Sequence, residues 1–298
     1  MEVVSEVRCG LGEGPVWDDQ TGLLYWLDIV GERLHRSDGT VVELGVQAGA
    51  LALTASGRML LAVPDGFAWL ADLSTAPPQA AQNRQTPAVA SKTGVPCGGT
   101  PAKPVVSAVT MPNPGRFNDG KCDPEGRFWA GTITEPGQAA LYRLDADLTV
   151  STALTEVTIS NGLGWSPDGG TFYYIDTPTN RIDAFDYAAG EIGGRRTLVE
   201  ITQGSPDGMT VDADGCLWVA LWGGAAVHRY TPGGALDRTI EMPVAKPSSV
   251  TFGGSGLDTL FITSAGGVRD PDNPLAGALF AVDPGVSGLP AHRFGGAP

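Results

Sequence analysis

Four polar residues, Glu13, Asn118, Asn161 and Asp207, stand at one position in four copies of a recurring pattern, and each offers oxygen as a donor atom. Carboxylates and amide carbonyls are hard ligands suited to Ca²⁺, Mg²⁺ or Mn²⁺. Two carboxylates neutralise a dication, and two neutral amides complete the protein side. A shared cation of this kind polarises a carbonyl and lowers the pKa of a water beside it. Taken singly, Asp-Gly and Asn-Gly are ordinary turn dipeptides; recurrence at one repeat position is what makes these residues a set. Other chemistries find little support. His35, His228 and His292 show no metal-binding spacing. Cys9, Cys97, Cys122 and Cys216 form no C-x-x-C pair and read as small hydrophobes. No G-x-S-x-G elbow is present, and Ser160 and Ser205 have no His in their segments.

The elements that must position the four residues follow from the repeat itself. NDGKCDPEGRFWAGTIT from Asn118, NGLGWSPDGGTFYYIDT from Asn161 and DGMTVDADGCLWVALWG from Asp207 align without gaps. Each has a polar anchor, a turn glycine eight residues on (Gly126, Gly169, Gly215) and then an apolar run. Weaker copies begin at Gly49, with Gly57 as turn, and at Ser248, with Gly256; the copy at Glu13 reaches Gly22 one residue late. Third strands follow in phase: ERLHRSD, FAWLAD, AALYRLD, RIDAFDY, AAVHRYT and GALFAVD. Six copies at roughly 40 to 45 residues are the mark of propeller blades, and 42 Gly with 23 Pro suit short strands and tight turns. The expected fold is therefore all-β, one six-bladed β-propeller over residues 1–298; a sandwich of hairpins would not place six copies in phase. First strands line a propeller's channel, so the anchors converge on the axis. Val3–Arg8 and Ala291–Phe294 could each supply the outer strand that closes the ring, and the N-terminal segment is favoured because it directly precedes the first anchor.

One connection is too long. Residues 74–114, rich in Pro and Ala, separate the second and third anchors. The expectation is a mobile inserted loop with an outer strand near Pro104–Thr110, acting either as a flap over the channel mouth or as a passive insertion. A net charge of −14 with only 19 basic residues disfavours nucleic acid. No run approaches the ~18 apolar residues of a membrane span, and MEVVSEVRCG lacks a signal-peptide pattern. A cytoplasmic protein without membrane partners, monomeric or weakly oligomeric, is expected.

LGEGPVW, RFNDGKCDPEGRFWAGT, SNGLGWSPDG, YYIDT, DAFDY and SPDGMTVDADGCLWVA resemble the signature segments of the gluconolactonase, xylonolactonase and regucalcin family of sugar lactonases, which also includes luciferin-regenerating enzymes. The resemblance spans nearly the whole chain apart from residues ~74–112, and its longest motif is the one beginning at Arg116. It implies a six-bladed propeller with one central divalent metal (Ca²⁺, Zn²⁺, Mn²⁺ or Mg²⁺) held by Glu13, Asn161 and Asp207. It also implies substrate contacts from Arg116 and Asn118. An acidic substrate-binding residue shortly after A-G-T corresponds best to Glu135, although the register departs from the family at Pro136.

The implied activity is metal-dependent hydrolysis of a small sugar lactone to the aldonic acid. The metal would act as Lewis acid, Asp207 as general base, and the Arg116 fork would hold sugar oxygens. Two other readings use the same ring of oxygens: a calcium-binding regulatory propeller without catalysis, and a phosphotriesterase-like hydrolase.

Overall fold

The structure, a computed structural model, describes residues 1–70 and 105–297. Within them the chain forms six four-stranded antiparallel sheets, arranged as the blades of a propeller. The inner strands are Gly12–Asp18, Ala50–Leu53, Arg116–Cys122, Ser160–Trp165, Ser205–Val211 and Pro247–Gly253. Among the described residues the only helical elements are two short 3₁₀ turns, Thr177–Thr179 and Gly267–Arg269. None is long and apolar enough to cross a membrane.

Each second strand packs against a neighbouring blade on both faces, so it reads as a continuous apolar run rather than an alternating one. Leu217–Trp222 shows the division of labour: Trp218 and Ala220 face the sixth blade, while Leu217, Val219 and Leu221 face the fourth. Six apolar clusters occupy the six seams between blades and so complete the ring. In the third and fifth blades a buried aspartate ties the hairpin together. Asp123 accepts from the backbone N–H of Glu125 and Arg127 and from Trp129 Nε1; Asp212 accepts from Asp214, Cys216, Trp218 and Arg229. These acids are structural.

The turn glycines behave as the repeat requires. Gly57, Gly126, Gly169 and Gly215 all have φ between 70° and 81°, and the Gly126 N–H donates to Asp123 O at 3.0 Å. The sixth copy corrects the sequence register. Its corresponding bond runs from Leu257 N–H to Gly254 O, and Leu257, not Gly256, takes the left-handed conformation at φ 52°. The matching anchor is therefore Ser249 rather than Ser248. The aligned sequence misled because glycine marks this turn elsewhere and a neighbouring glycine was available.

Closure uses the N-terminus. Glu2–Val3, a shorter strand than the expected Val3–Arg8 and beginning one residue earlier, pairs with Phe280–Val282 as the outer strand of the sixth blade. The C-terminal segment takes another route, across the lower end of the channel. Ala213 N–H donates to Ser287 O, Phe294 N–H to Leu53 O and Gly295 N–H to Gly126 O. Of the long connection, Val105–Thr110 is the outer strand of the second blade, paired with Gly66–Leu70; residues 74–104 of the expected 74–114 loop lie outside the described residues.

Candidate functional site

Inner strands bring the anchors together, and a local irregularity aims them. Register shifts interrupt five inner strands beside the anchors: Glu13/Val16, Phe117/Asp119, Asn161/Leu163, Pro206/Met209 and Pro247/Ser249. A bulge bends its strand and re-aims the side chain there. Two glycines directly after anchors let neighbouring strands crowd around the axis. A Cβ on Gly162 would lie 2.8 Å from Asp207 O, and one on Gly208 would lie 2.8 Å from Ser249 Cα.

Glu13, Asn161 and Asp207 are all buried, with Arg116 and Asn118 half-buried beside them. A chain of hydrogen bonds joins four of the site's side chains. Arg116 Nη2 donates to Asn118 Oδ1 at 2.8 Å, and Asn118 Nδ2 donates to Asn161 Oδ1 at 3.0 Å and to Ser160 O at 2.9 Å. Asn161 Nδ2 then donates to Thr177 Oγ1 at 2.7 Å, and Thr177 donates to Pro206 O at 2.8 Å. Both amide groups are thereby oriented, and Asn161 Oδ1 keeps a second lone pair. Sequence reasoning passed over Thr177, although it ends the YYIDT segment; its role depends on Pro206, a residue of the next blade.

The charges are held at a cost. Burial pushes the Glu13 carboxyl well above its ordinary range, and the Asp207 and Asp119 charges push it further. Burial does the same to Asp207, with Asp119 adding to it; Arg116, the Asn161 amide and the Gly208 N–H pull the other way. Two desolvated carboxylates near each other are unfavourable unless a cation or protons compensate. Arg116 supplies part of that compensation. Its Nη2 is used by Asn118, whereas Nη1 is buried with no hydrogen-bond partner among the described residues. A donor in that state marks a place where an acceptor is missing.

Glu135 is not brought to the cluster. It lies in an exposed turn where its own carbonyl accepts from Gln138 N–H, and no hydrogen bond ties its side chain to the anchors among the described residues. The lower channel holds a second charged pair that sequence reasoning missed. Asp119 is pushed up to about 6 by burial, with Lys121 acting against the shift, and Lys121 Nζ donates to Met209 O at 2.7 Å. Together with the C-terminal residues Pro290 and His292 they line a cavity of about 90 Å³. No anchor carboxylate is part of that lining, and the C-terminal segment closes the cavity as a floor to the channel.

Residues 11–266 match the SMP-30/gluconolactonase/LRE-like region family. The chain is 35% identical to regucalcin of Gallus gallus, covering 99% of this chain and 98% of that one. It is also 35% identical to a pentonolactonase of Haloferax volcanii, covering 97% and 96%. The crystal structure of a calcium-binding protein, regucalcin, from Agrobacterium tumefaciens superposes with a TM-score of 0.82 at 28% identity, covering 98% of this chain and 97% of that one.

Proposed function

We propose, because this chain belongs to the SMP-30/gluconolactonase/LRE-like family, that it hydrolyses a sugar lactone to the open-chain acid with the help of a divalent cation at the propeller axis. The observation that carries the reading is the pairing of two buried carboxylates, Glu13 and Asp207, with a guanidinium whose Nη1 has no partner among the described residues. The donor set fits a hard dication: two carboxylates match its charge, the free lone pair of Asn161 Oδ1 adds a neutral oxygen, and the repulsion that raises both carboxyl groups is relieved. Glu13, Asn161 and Asp207 would hold it. When bound, such an ion supplies Lewis-acid polarisation of the lactone carbonyl.

The chain's own residues do the rest. Arg116 Nη1 donates a charge-assisted bond to the substrate oxygen that gains negative charge as the tetrahedral intermediate forms. Asn118 is a positioning residue for Arg116, since its Oδ1 holds Nη2 and its Nδ2 is spent on Asn161 and Ser160. Asp207 takes the proton of the attacking water at a carboxylate oxygen and returns it to the ring oxygen as the carbon–oxygen bond breaks. No serine nucleophile enters this scheme.

The test is a pH-indicator assay across several aldonolactones, repeated after chelation and after add-back of single metals. Acid release that falls on chelation and returns on add-back is expected. Absence of turnover on every aldonolactone, with metal demonstrably bound, would leave the calcium-binding reading. That reading has its own support in oxygen-only donors and in the calcium-binding relative of similar fold, but it assigns no partner to Arg116 Nη1. Preference for paraoxon over gluconolactone would favour a phosphotriesterase-like enzyme.

A further inference from the structure

The seam between the sixth and first blades holds a second cluster, chemically unlike the axial one. Cys9 lies in the segment that joins the closing strand Glu2–Val3 to the inner strand Gly12–Asp18, Asp28 ends the second strand Leu23–Asp28, and His35 lies in the third strand Arg33–Arg36. All three are buried, and one ligand atom from each lies within 4.8 Å of the others. Cys9 is a free thiol.

The role of Asp28 in the fold is accounted for. Its Oδ2 accepts from Gly10 N–H at 3.0 Å, and its Oδ1 accepts from Leu11 and Gly31 N–H, each at 3.0 Å. A carboxylate has about four lone-pair positions, so one on Oδ2 remains free while the other three fix the group in place. His35 is not accounted for. It is only 4% exposed and stacked on the Trp26 ring at 5.3 Å, yet neither Nδ1 nor Nε2 has a hydrogen-bond partner among the described residues. An imidazole with both nitrogens desolvated and unpaired is costly, and beside it stand a thiol and a carboxylate with an unused lone pair.

We infer that Cys9, Asp28 and His35 form a second metal site, for a cation of intermediate softness such as Zn²⁺. A thiolate and a carboxylate neutralise a dication while a neutral imidazole supplies the third donor, and sulfur with nitrogen selects Zn²⁺ over Ca²⁺ or Mg²⁺. Bonds of about 2.0 to 2.3 Å place tetrahedral ligand atoms roughly 3.5 Å apart, so the cluster needs to contract by at most about 1.3 Å on binding. The fourth position is left for water or a small anion. The three residues tie the chain leading out of the closing strand to the first blade, so the bound ion secures the propeller at the seam where its two ends meet.

The axial set contains no sulfur, which gives a clean readout. Titration of the metal-free full chain with Co²⁺ is expected to produce a thiolate-to-cobalt charge-transfer absorption in the near ultraviolet, displaced by Zn²⁺. The band should persist in Asp207→Ala, where the axial set is disabled, and disappear in Cys9→Ser and in His35→Phe, each with the loss of one equivalent of bound zinc. His35→Phe keeps both the thiol and the ring stack on Trp26. The wild-type and Asp207→Ala measurements hold whether or not the seam variants fold. Absence of the band in wild type, or its survival in either seam variant, would overturn the site without touching the lactonase proposal.

Discussion

Gly162→Ala tests whether the geometry of the axis, and not merely its residue types, sets activity. Gly162 follows Asn161 and its φ is not left-handed, so alanine meets no backbone strain of its own. The obstacle is the next blade. The new Cβ would stand 2.8 Å from Asp207 O and 2.9 Å from Met209 Cγ, whereas ordinary contact begins at 3.4 Å. Met209 can turn aside, and so can Ile175, whose Cδ1 in the same blade would be 2.7 Å away, but a backbone carbonyl cannot. The strand carrying Asp207 must move by about 0.6 Å, the difference between those two distances. Overpacking of this kind costs about 1–3 kcal/mol, a few degrees in Tm, leaving the fold intact. A displacement approaching 1 Å at a catalytic group costs up to about 10² in rate, so kcat/KM for aldonolactone is expected to fall about 10- to 100-fold, with divalent-cation affinity weakened alongside. The pH-indicator assay gives the first quantity and titration calorimetry the second. A cooperative, slightly destabilised Gly162→Ala protein with unaltered kcat/KM and unaltered metal affinity would refute the reasoning.

Glu13→Ala and Asp207→Ala are each expected to abolish axial divalent-cation binding and lactone turnover while retaining the β-sheet circular dichroism of the wild type; activity in either metal-depleted variant would remove the pair from the mechanism. Arg116→Ala removes one oxyanion donor and is expected to lower kcat about 10²- to 10³-fold, with metal affinity changed only a few-fold; loss of metal from this variant would make Arg116 structural instead. The two carboxyl groups also set a pH dependence. Burial raises both above their unfolded values near 4, so the unfolded chain ionises first and metal-free stability falls as pH rises above about 4. Asp119, at about 6, contributes in the same direction between about 4 and 6. Thermal denaturation with chelator is therefore expected to give a lower Tm at about pH 8 than at about pH 5, and a saturating divalent cation should flatten the difference; a rise in Tm with pH would contradict the assignment of repelling carboxylates.

Much was legible in the sequence because a propeller repeats its local physics. The turn needs a residue that tolerates positive φ, the second strand is buried on both faces, and the anchor falls a constant distance before the turn; these are short-range relations that survive in the linear string. From them came the six blades, the convergence of Glu13, Asn118, Asn161 and Asp207, and the N-terminal closing strand. Where one relation was carried by an unusual residue, as at Leu257, the register slipped by one and Ser248 stood in for Ser249.

What required the tertiary structure was everything settled between blades. Thr177 orients Asn161 only because the Pro206 carbonyl of the next blade accepts its hydroxyl hydrogen bond. The Asn118 amide nitrogen is taken up by Asn161 and Ser160 of the fourth blade, and the C-terminal segment floors the channel through bonds to the second, third and fifth blades. Cys9, Asp28 and His35 gave no spacing signal because they meet at the seam where the ring closes, and His35 could be recognised as unpaired only from its surroundings. Local sequence determines which residues turn, pair and face the axis; hydrogen-bond partners and the cost of desolvated charge depend on residues tens to hundreds of positions away, which only the closed ring brings into contact.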